Sequence, residues 1–204
     1  MKKNMLSEEI SVKQRLVTAT ARIFAEEGYE AVSMRRVAAE AGYSQMAAYR
    51  HFESKEALIQ HVCADLYQQF ATRMMAEMAK TDDPWKKIHL FAAALLRFAL
   101  QYPDHYSLIF LVRHPDPKVI ETRESLARGF LAGVRETVSV LLPPETRPAD
   151  VDAALRRMMA SAHGTMALLL AHPQPYALNR TNALRDLETT FGLLLGRGQA
   201  GSRS

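Results

Sequence analysis

Cysteine is almost absent from this sequence of 204 residues, in which Cys63 is the single example. One thiol excludes a disulfide within the chain and is typical of a protein of the reducing cytoplasm. No apolar run approaches the ~18 residues that indicate a membrane-spanning helix, and the N-terminal MKKNMLSEEI lacks the apolar core of a secretory signal. We therefore expect a cytoplasmic protein that has no membrane partner.

The motifs of common enzymes and metal sites are also missing. The sequence contains no His-Glu-x-x-His pair, no glycine-rich phosphate loop and no Gly-x-Ser-x-Gly element. The later histidines are too dispersed to form a ligand pair at i, i+4 spacing; they are His89, His105, His114, His163 and His172. We expect no catalytic residue, no metal site and no cofactor, and a helical enzyme or metal-binding protein is the less favoured alternative.

Strand-like alternation of apolar and polar residues does not stand out, and helical periodicity takes its place. Helix start signals accompany it, since Ser11 and Gln14 have the spacing of a capping box and Asp83-Pro84 places a cap before a proline. The pattern predicts an all-α fold of about nine helices. One of them, near residues 55–80, would be roughly 37 Å long and would join two parts of the chain.

The segment from Ser33 to Lys55 predicts two short helices separated by a sharp turn, followed by the start of a third helix. Apolar residues fall on one face of the first helix, Gly42 suits its C-terminal end, and Ser44 can cap the second. Two helices joined by a turn of about three or four residues form the helix-turn-helix pattern, whose second helix enters the DNA major groove. Helical hairpins of ordinary all-α domains have similar spacing.

The net charge of the chain does not decide between a DNA-binding helix-turn-helix and an ordinary helical hairpin. The net charge of the chain is +4, but residues 1–60 contain nine Lys or Arg against eight Asp or Glu. A DNA partner must therefore be argued from where individual basic and polar side chains lie, and not from an excess of positive charge.

Three segments in and around the helix-turn-helix pattern have an order and spacing that match a known protein family. They are Phe24-Ala25-Glu26-Glu27-Gly28-Tyr29, Ala41-Gly42-Tyr43-Ser44 and Tyr49-Arg50-His51-Phe52-Glu53-Ser54-Lys55. They resemble the DNA-binding domain of the TetR family of transcriptional repressors. Farther on, YPDHYSLIFLV and SAHGTMALLL resemble the TetR-type ligand domain named for its Trp-His-Gly motif. His163 and Gly164 match that motif, while Ser161 or Ala162 stands where the Trp would fall.

The resemblance implies an N-terminal three-helix helix-turn-helix domain at residues 1–56. It also implies a helical effector-binding and dimerisation domain at residues 57–198, followed by a disordered tail at residues 199–204. Such a protein would be a ligand-responsive regulator, most simply a repressor. It would bind a palindromic double-stranded DNA operator as a homodimer and be released by a small, hydrophobic effector. A DNA-binding protein without an effector, acting as a constitutive repressor, is the alternative.

The resemblance and the chemistry of the side chains together indicate which residues would contact DNA. Tyr49, His51 and Lys55 match positions that contact phosphates in the family. Gln45 can form a bidentate contact with adenine, and Ala47 can touch a thymine methyl group. The candidate DNA contacts are Ser33, Arg35, Arg36, Ser44, Gln45, Met46, Ala47, Tyr49, Arg50, His51 and Lys55.

The C-terminal half is expected to hold an effector cavity, where Met and aromatic side chains suit a broad hydrophobic pocket. Its candidate lining residues are Met74, Phe91, Phe98, Tyr102, Tyr106, Phe110, His163 and Met166. The last two helices are expected to form a four-helix interface between subunits. Its candidate residues are Leu155, Met158, Met159, Ala162, Leu184, Leu187, Phe191 and Leu194. Membership of the ordinary core is the alternative for both sets.

Overall fold

The computed structural model describes residues 11–111 and 117–196, and all regular structure in these two ranges is helical. The helices are α1 (Val12–Glu27), α2 (Met34–Glu40), α3 (Gln45–His51), α4 (Lys55–Met78), α5 (Pro84–Gln101), α6 (Pro103–Tyr106), α7 (Pro117–Leu141), α8 (Pro148–Ala171) and α9 (Arg180–Leu194). This architecture confirms the expected all-α fold of about nine helices. Residues 1–10 and the predicted tail at 199–204 lie outside the described residues.

Serine side chains fix where the first four helices begin. The Ser11 hydroxyl oxygen accepts the N–H of Gln14 at 3.2 Å, and the Gln14 amide oxygen accepts the N–H of Ser11 at 3.1 Å. Ser33, Ser44 and Ser54 cap α2, α3 and α4, and each accepts the N–H of the residue three positions later. Each cap satisfies a backbone donor that has no partner within its helix.

Gly42 permits the turn between α2 and α3. Its φ of 81° lies in the left-handed region, which residues with a Cβ adopt only with strain. The N–H of Tyr43 donates to the carbonyl of Ala38 at 2.8 Å, and the N–H of Gly42 donates to the carbonyl of Ala39 at 3.1 Å. These bonds close the end of α2, so that α3 can begin only a few residues later, at Gln45.

α4 is the central helix of the described chain. Its first half buries Leu58 and Ile59 in the same core as Leu16 of α1, whereas its second half buries Phe70 and Met74. α4 packs against α1 at one end of the chain and against α5 and α7 farther along, while α8 packs against both α7 and α9. The expected division at residues 56 and 57 falls in the first turn of α4, and that division stays a prediction.

The segment after α5 departs from regular α-helix. The sequence predicts one short buried helix here, and the structure has α6 followed by a π-helical segment at Ser107–Leu111. Tyr106 and Ile109 are buried, and α1 packs against this region, so the first helix contacts the C-terminal part of the chain directly. No helix in the described ranges is long and apolar enough to cross a membrane.

Candidate DNA-binding face and internal cavity

The short helix α3 carries large apolar side chains on its outer surface. Met46 is 69% exposed and Tyr49 is 48% exposed, whereas Ala48 is the residue of α3 that is buried. Gln45, Arg50 and His51 are exposed as well. α3 therefore presents most of its side chains, polar and apolar, on the surface of the chain.

The remaining DNA candidates surround α3 on the helix-turn-helix. The hydroxyl oxygens of Ser33 and Ser44 both act as helix caps, each accepting a backbone N–H at 3.2 Å. Arg35 is exposed and Ala47 is half-buried. Arg36 differs from the others, because its guanidinium forms a two-pronged ion pair with Glu27 of α1. Arg36 would have to leave this carboxylate before it could contact a phosphate.

Lys55, at the first position of α4, lies against an aromatic ring. Its Nζ is 3.9 Å from the centroid of the Tyr29 ring, and Tyr29 in turn packs edge-on against Phe24 at 6.1 Å. This cation–π contact holds the ammonium group at the N-terminal end of a helix, where free N–H groups also attract anions. The contact of Lys55 with phosphate stays a prediction.

Replacing Lys55 by alanine is expected to weaken operator binding and to lower its salt dependence. Each neutralised phosphate contributes about one unit to the slope of log K against log salt concentration, so the slope should fall by about one unit per protomer. Fluorescence anisotropy with a labelled duplex over a range of salt concentrations measures this slope. Lys86→Ala, an exposed lysine on α5, is the matched control, and an unchanged slope for Lys55→Ala would remove this residue from the set of contacts.

A cavity of about 270 Å³ lies between α4, α5, α7, α8 and the π-helical segment. Most of its wall is aromatic or aliphatic. The lining residues are Tyr67, Phe70, Phe91, Leu95, Ile109, Phe110, Arg123, Glu124, Ala127, Phe130, Leu131, Met159 and His163. The volume is slightly below the range of about 300–1,000 Å³ that is usual for small-molecule sites.

Three of the eight candidate pocket residues line this cavity, namely Phe91, Phe110 and His163. The other five lie outside its wall, in the core or at its edge: Met74, Phe98, Tyr102, Tyr106 and Met166. The sequence reasoning missed the whole contribution of α7. Its amphipathic spacing, with Arg123, Ala127 and Phe130 on one side of the helix, was the available signal.

His163 is held in the neutral form at the cavity wall. Burial lowers the pKa of this imidazole to about 4, and burial also raises the pKa of the Tyr106 phenol above its usual value. The Tyr106 oxygen lies 2.7 Å from His163 Nδ1. Because a buried hydroxyl proton needs an acceptor, we infer that Tyr106 donates to Nδ1. The proton of the neutral ring then resides on Nε2.

His163 is expected to make the fold less stable in acid. The unfolded chain protonates His163 near pH 6.5, whereas the folded chain does so only near pH 4. The contribution of the neutral His163 to the free energy of unfolding is therefore present above pH 6.5 and is lost as pH falls toward 4. Between about pH 7 and pH 5 the loss is about 2 kcal/mol. Urea denaturation of His163→Gln at both pH values should show a pH effect smaller by that amount than the parent chain.

The exposed His172 provides the matched control as His172→Gln, which should retain the full pH effect. Burial lowers the pKa of His61 and of His105 as well, so both variants keep a residual pH dependence. Equal pH effects in His163→Gln and the parent chain would show that folding leaves the pKa of His163 unchanged.

Arg123 is the cationic group of the cavity wall. Its Nη1 donates to the carbonyl oxygen of Ile109 at 3.1 Å, which ties α7 to the π-helical segment. Burial raises the pKa of Tyr67 to about 12, and the charge of Arg123 opposes that rise. The neighbouring Glu124 is exposed at the edge of the cavity. At the residue before Arg123, the Thr122 hydroxyl accepts a hydrogen bond from Gln60 of α4 at 3.2 Å, which couples α7 to α4.

Most candidate interface residues lie inside the chain's own core. Leu155, Met158, Ala162, Leu187 and Phe191 are buried in the single chain, Met159 lines the cavity, and Leu184 and Leu194 are half-buried. Residues that a single chain already buries cannot also present the surface of an interface. The exposed residues of α8 include Ala160, Gly164 and Ala171 together with Arg156 and Arg157, and those of α9 include Leu193 together with Arg185 and Asp186. Leu193 is 67% exposed.

The part of the chain that the structure describes contains no group of three or more His, Cys, Asp or Glu residues that could hold a metal ion. Cys63 is buried, and burial raises the pKa of its thiol to about 11. A thiol with such a pKa is protonated near neutral pH and is a poor nucleophile.

Comparison with known proteins matches both parts of the chain to one family. The model described as "Bacterial regulatory proteins, tetR family" matches residues 16–62, and the model "Tetracyclin repressor-like, C-terminal domain" matches residues 88–190.

The regulator YuxN of Bacillus subtilis is 31% identical over 97 residues, which are 47% of this chain and 33% of that protein. The nucleoid occlusion factor SlmA of Haemophilus influenzae is 33% identical over 104 residues, which are 47% of this chain and 46% of that protein. The chain thus spans less than half the length of these relatives.

Solved structures share the fold over nearly the whole chain. A transcriptional regulator from Rhodococcus sp. Rha1 has a TM-score of 0.76 at 22% identity and covers 92% of this chain and 97% of its own. FadR from Bacillus subtilis, in complex with stearoyl-CoA, has a TM-score of 0.74 at 16% identity and covers 89% of this chain and 96% of its own. With both family models matched on a helix-turn-helix and an all-α C-terminal region, the chain belongs to the TetR family of transcriptional regulators and carries its DNA-binding domain.

Proposed function

We propose that this regulator is a repressor that binds a palindromic operator as a homodimer, and that a small effector in the cavity releases it. One observation carries the proposal, namely the path of α4. The helix begins with Lys55 beside the recognition helix and lines the cavity with Tyr67 and Phe70. Twelve residues of helix separate Lys55 from Tyr67, so a single rigid element of about 18 Å connects the two sites.

On the DNA side, α3 would enter the major groove with its N-terminal residues against the bases. Gln45 and Ala47 would read base edges, while Tyr49, His51 and Lys55 would hold phosphates. The further candidates Ser33, Arg35, Arg36, Ser44, Met46 and Arg50 would complete the contact surface. Met46 is exposed on α3, so its long side chain would alter how closely α3 approaches the DNA.

A homodimer would give the protein two recognition helices. One short helix reads only a few base pairs, and two-fold symmetry sets two of them on the halves of a palindrome. The exposed residues of α8 and α9 support this proposal, because small side chains on α8 would permit close helix packing and Leu193 is an exposed apolar residue on α9. The partly exposed Leu184 and Leu194 of the original candidate set would lie at its edge.

On the effector side, the ligand would act through its different affinities for the DNA-bound and free arrangements. A coupling of about 1–3 kcal/mol is typical and corresponds to about 5- to 150-fold in operator affinity. The contact of Gln60 with Thr122 supports α4 as the transmitter, since it joins that helix to the α7 residue next to Arg123. A ligand that moved α7 would thereby shift the N-terminal half of α4.

The test combines selection of random duplexes with the purified protein and a screen of small molecules against the selected operator. We expect a palindromic duplex bound by one dimer, and a ligand that both raises the thermal midpoint and lowers operator affinity. If no small molecule affects operator binding, the constitutive repressor is the better description. Turnover of a bound molecule would instead favour an enzyme, an activity that is not typical of this family.

A further inference from the structure

The volume of the cavity indicates how much of a ligand it can enclose. An apolar cavity of about 150 Å³ accepts a benzene molecule, and this cavity measures about 270 Å³. In proportion, it accommodates about eleven non-hydrogen atoms. That is the size of a substituted single ring or of a medium-length alkyl chain, and far below that of a long-chain acyl-CoA.

The wall of the cavity contains a continuous group of aromatic rings. The ring centroids of Phe70 and Phe110 are 5.0 Å apart, those of Phe70 and Phe130 are 5.4 Å apart, and those of Phe91 and Phe130 are 6.2 Å apart. Rings at these separations favour edge-on and offset contacts with a further ring. The body of the ligand is therefore apolar and can be aromatic.

Arg123 provides the positive charge in a wall whose other polar residues are Tyr67, Glu124 and His163. The side chain is half-buried. Within residues 11–111 and 117–196, its one hydrogen bond joins Nη1 to the Ile109 carbonyl oxygen, and Arg123 forms no ion pair with any residue of these ranges. A guanidinium group has five N–H donors in a planar fork that matches a carboxylate. Glu124 is exposed, so water screens its charge more strongly than that of Arg123.

His163 adds a second, neutral donor. Its Nδ1 is engaged by Tyr106 at 2.7 Å, and Nε2 has no hydrogen bond to any residue of the two described ranges. With the proton on Nε2, the imidazole can donate a hydrogen bond but adds no charge. A ligand that presents an acceptor group satisfies both His163 and Arg123, whereas a ligand with an ammonium group satisfies neither.

We propose that the effector is a compact apolar carboxylate of about eleven non-hydrogen atoms, whose body lies among the phenylalanine rings and whose carboxylate is bound by Arg123. This inference rests on the proposed function, because it names the chemical class of the effector for that cavity. Charge-assisted pairing with Arg123 gives the anion its selectivity over a neutral molecule of the same shape.

The experiment compares phenylbutyrate with its uncharged amide and with phenylbutylamine, by calorimetry on the full chain. The acid should bind about ten- to hundredfold more tightly than the amide, which is the usual range for a hydrogen bond to a charged group. Arg123→Gln should remove this preference, so that the variant binds the acid no more tightly than it binds the amide. Arg128→Gln is the matched control, because Arg128 is an exposed arginine on the same helix outside the cavity wall.

Circular dichroism and the thermal midpoint establish that Arg123→Gln is folded before its binding is interpreted. Equal binding of acid and amide, tighter binding of the amine, or an undiminished acid preference in Arg123→Gln would each overturn the inference. Binding of only larger or uncharged molecules that still release the operator would overturn it and leave the proposed function standing. Conversely, binding of the acid through Arg123 with no effect on operator affinity would uphold the site and contradict the proposed function.

Discussion

Replacement of Gln45 by alanine is expected to lower operator affinity by at least about thirtyfold. A bidentate contact to a base is worth about 1–3 kcal/mol, and the loss occurs twice in a homodimer on a palindrome. The exposed position of Gln45 at the start of α3 makes a purely structural effect small. Anisotropy with the selected operator measures the affinity, and circular dichroism checks that the variant is folded.

The pattern of the loss distinguishes base reading from general weakening. If Gln45 reads adenine, then the variant should discriminate less against duplexes in which that base pair is replaced, while its salt slope stays that of the parent chain. Gln101→Ala, an exposed glutamine at the end of α5, should bind as the parent does. A Gln45 variant that keeps the full preference at every base pair would assign the reading of adenine to another residue.

Replacement of Leu193 by aspartate is expected to dissociate the homodimer and, with it, high-affinity operator binding. Burial of a leucine contributes about 1.5–3 kcal/mol, and a symmetric interface loses it twice. The dissociation constant of the dimer should rise about hundredfold to ten-thousandfold. Sedimentation velocity over a concentration series measures that constant.

Val140 supplies a well-matched control for this experiment. It has the same exposed fraction as Leu193, 67%, but lies near the end of α7 instead of on α9. Val140→Asp should therefore remain a dimer that binds the operator. Dissociation by both variants, or by Val140→Asp alone, would move the interface away from the exposed residues of α8 and α9.

In the helix-turn-helix, local sequence signals predicted the helix cap and the turn but not the contacts between helices. Gly42 and Ser44 were recognisable as a turn and a cap, and the structure places each in that role. These features depend on residues only a few positions apart, so the sequence itself contains the complete interaction. The ion pair between Arg36 and Glu27 was not recognisable in the same way. It depends on how α1 and α2 lie against each other.

Local sequence signals did not predict which residues line the cavity. Apolar spacing correctly marked Phe91 and Phe110 as inward-facing residues, but it marked Met74 and Met166 equally, and these two fill the core instead. Helical periodicity tells which side of a helix is buried, without telling which buried side chains leave space between them. Arg123 was missed for a related reason, since a basic residue on a helix is usually solvated.

The sequence by itself determined the helices, their caps and the family, because those features arise from periodicity, capping and motif spacing along the chain. The tertiary structure alone decided which of the inward-facing residues surround a cavity and which fill the core. It also decided that Met158 and Phe191 are core residues and that Leu193 is exposed. The physical reason is that cavities and surfaces depend on how helices far apart in sequence pack, and the apolar face of one helix does not specify its neighbours.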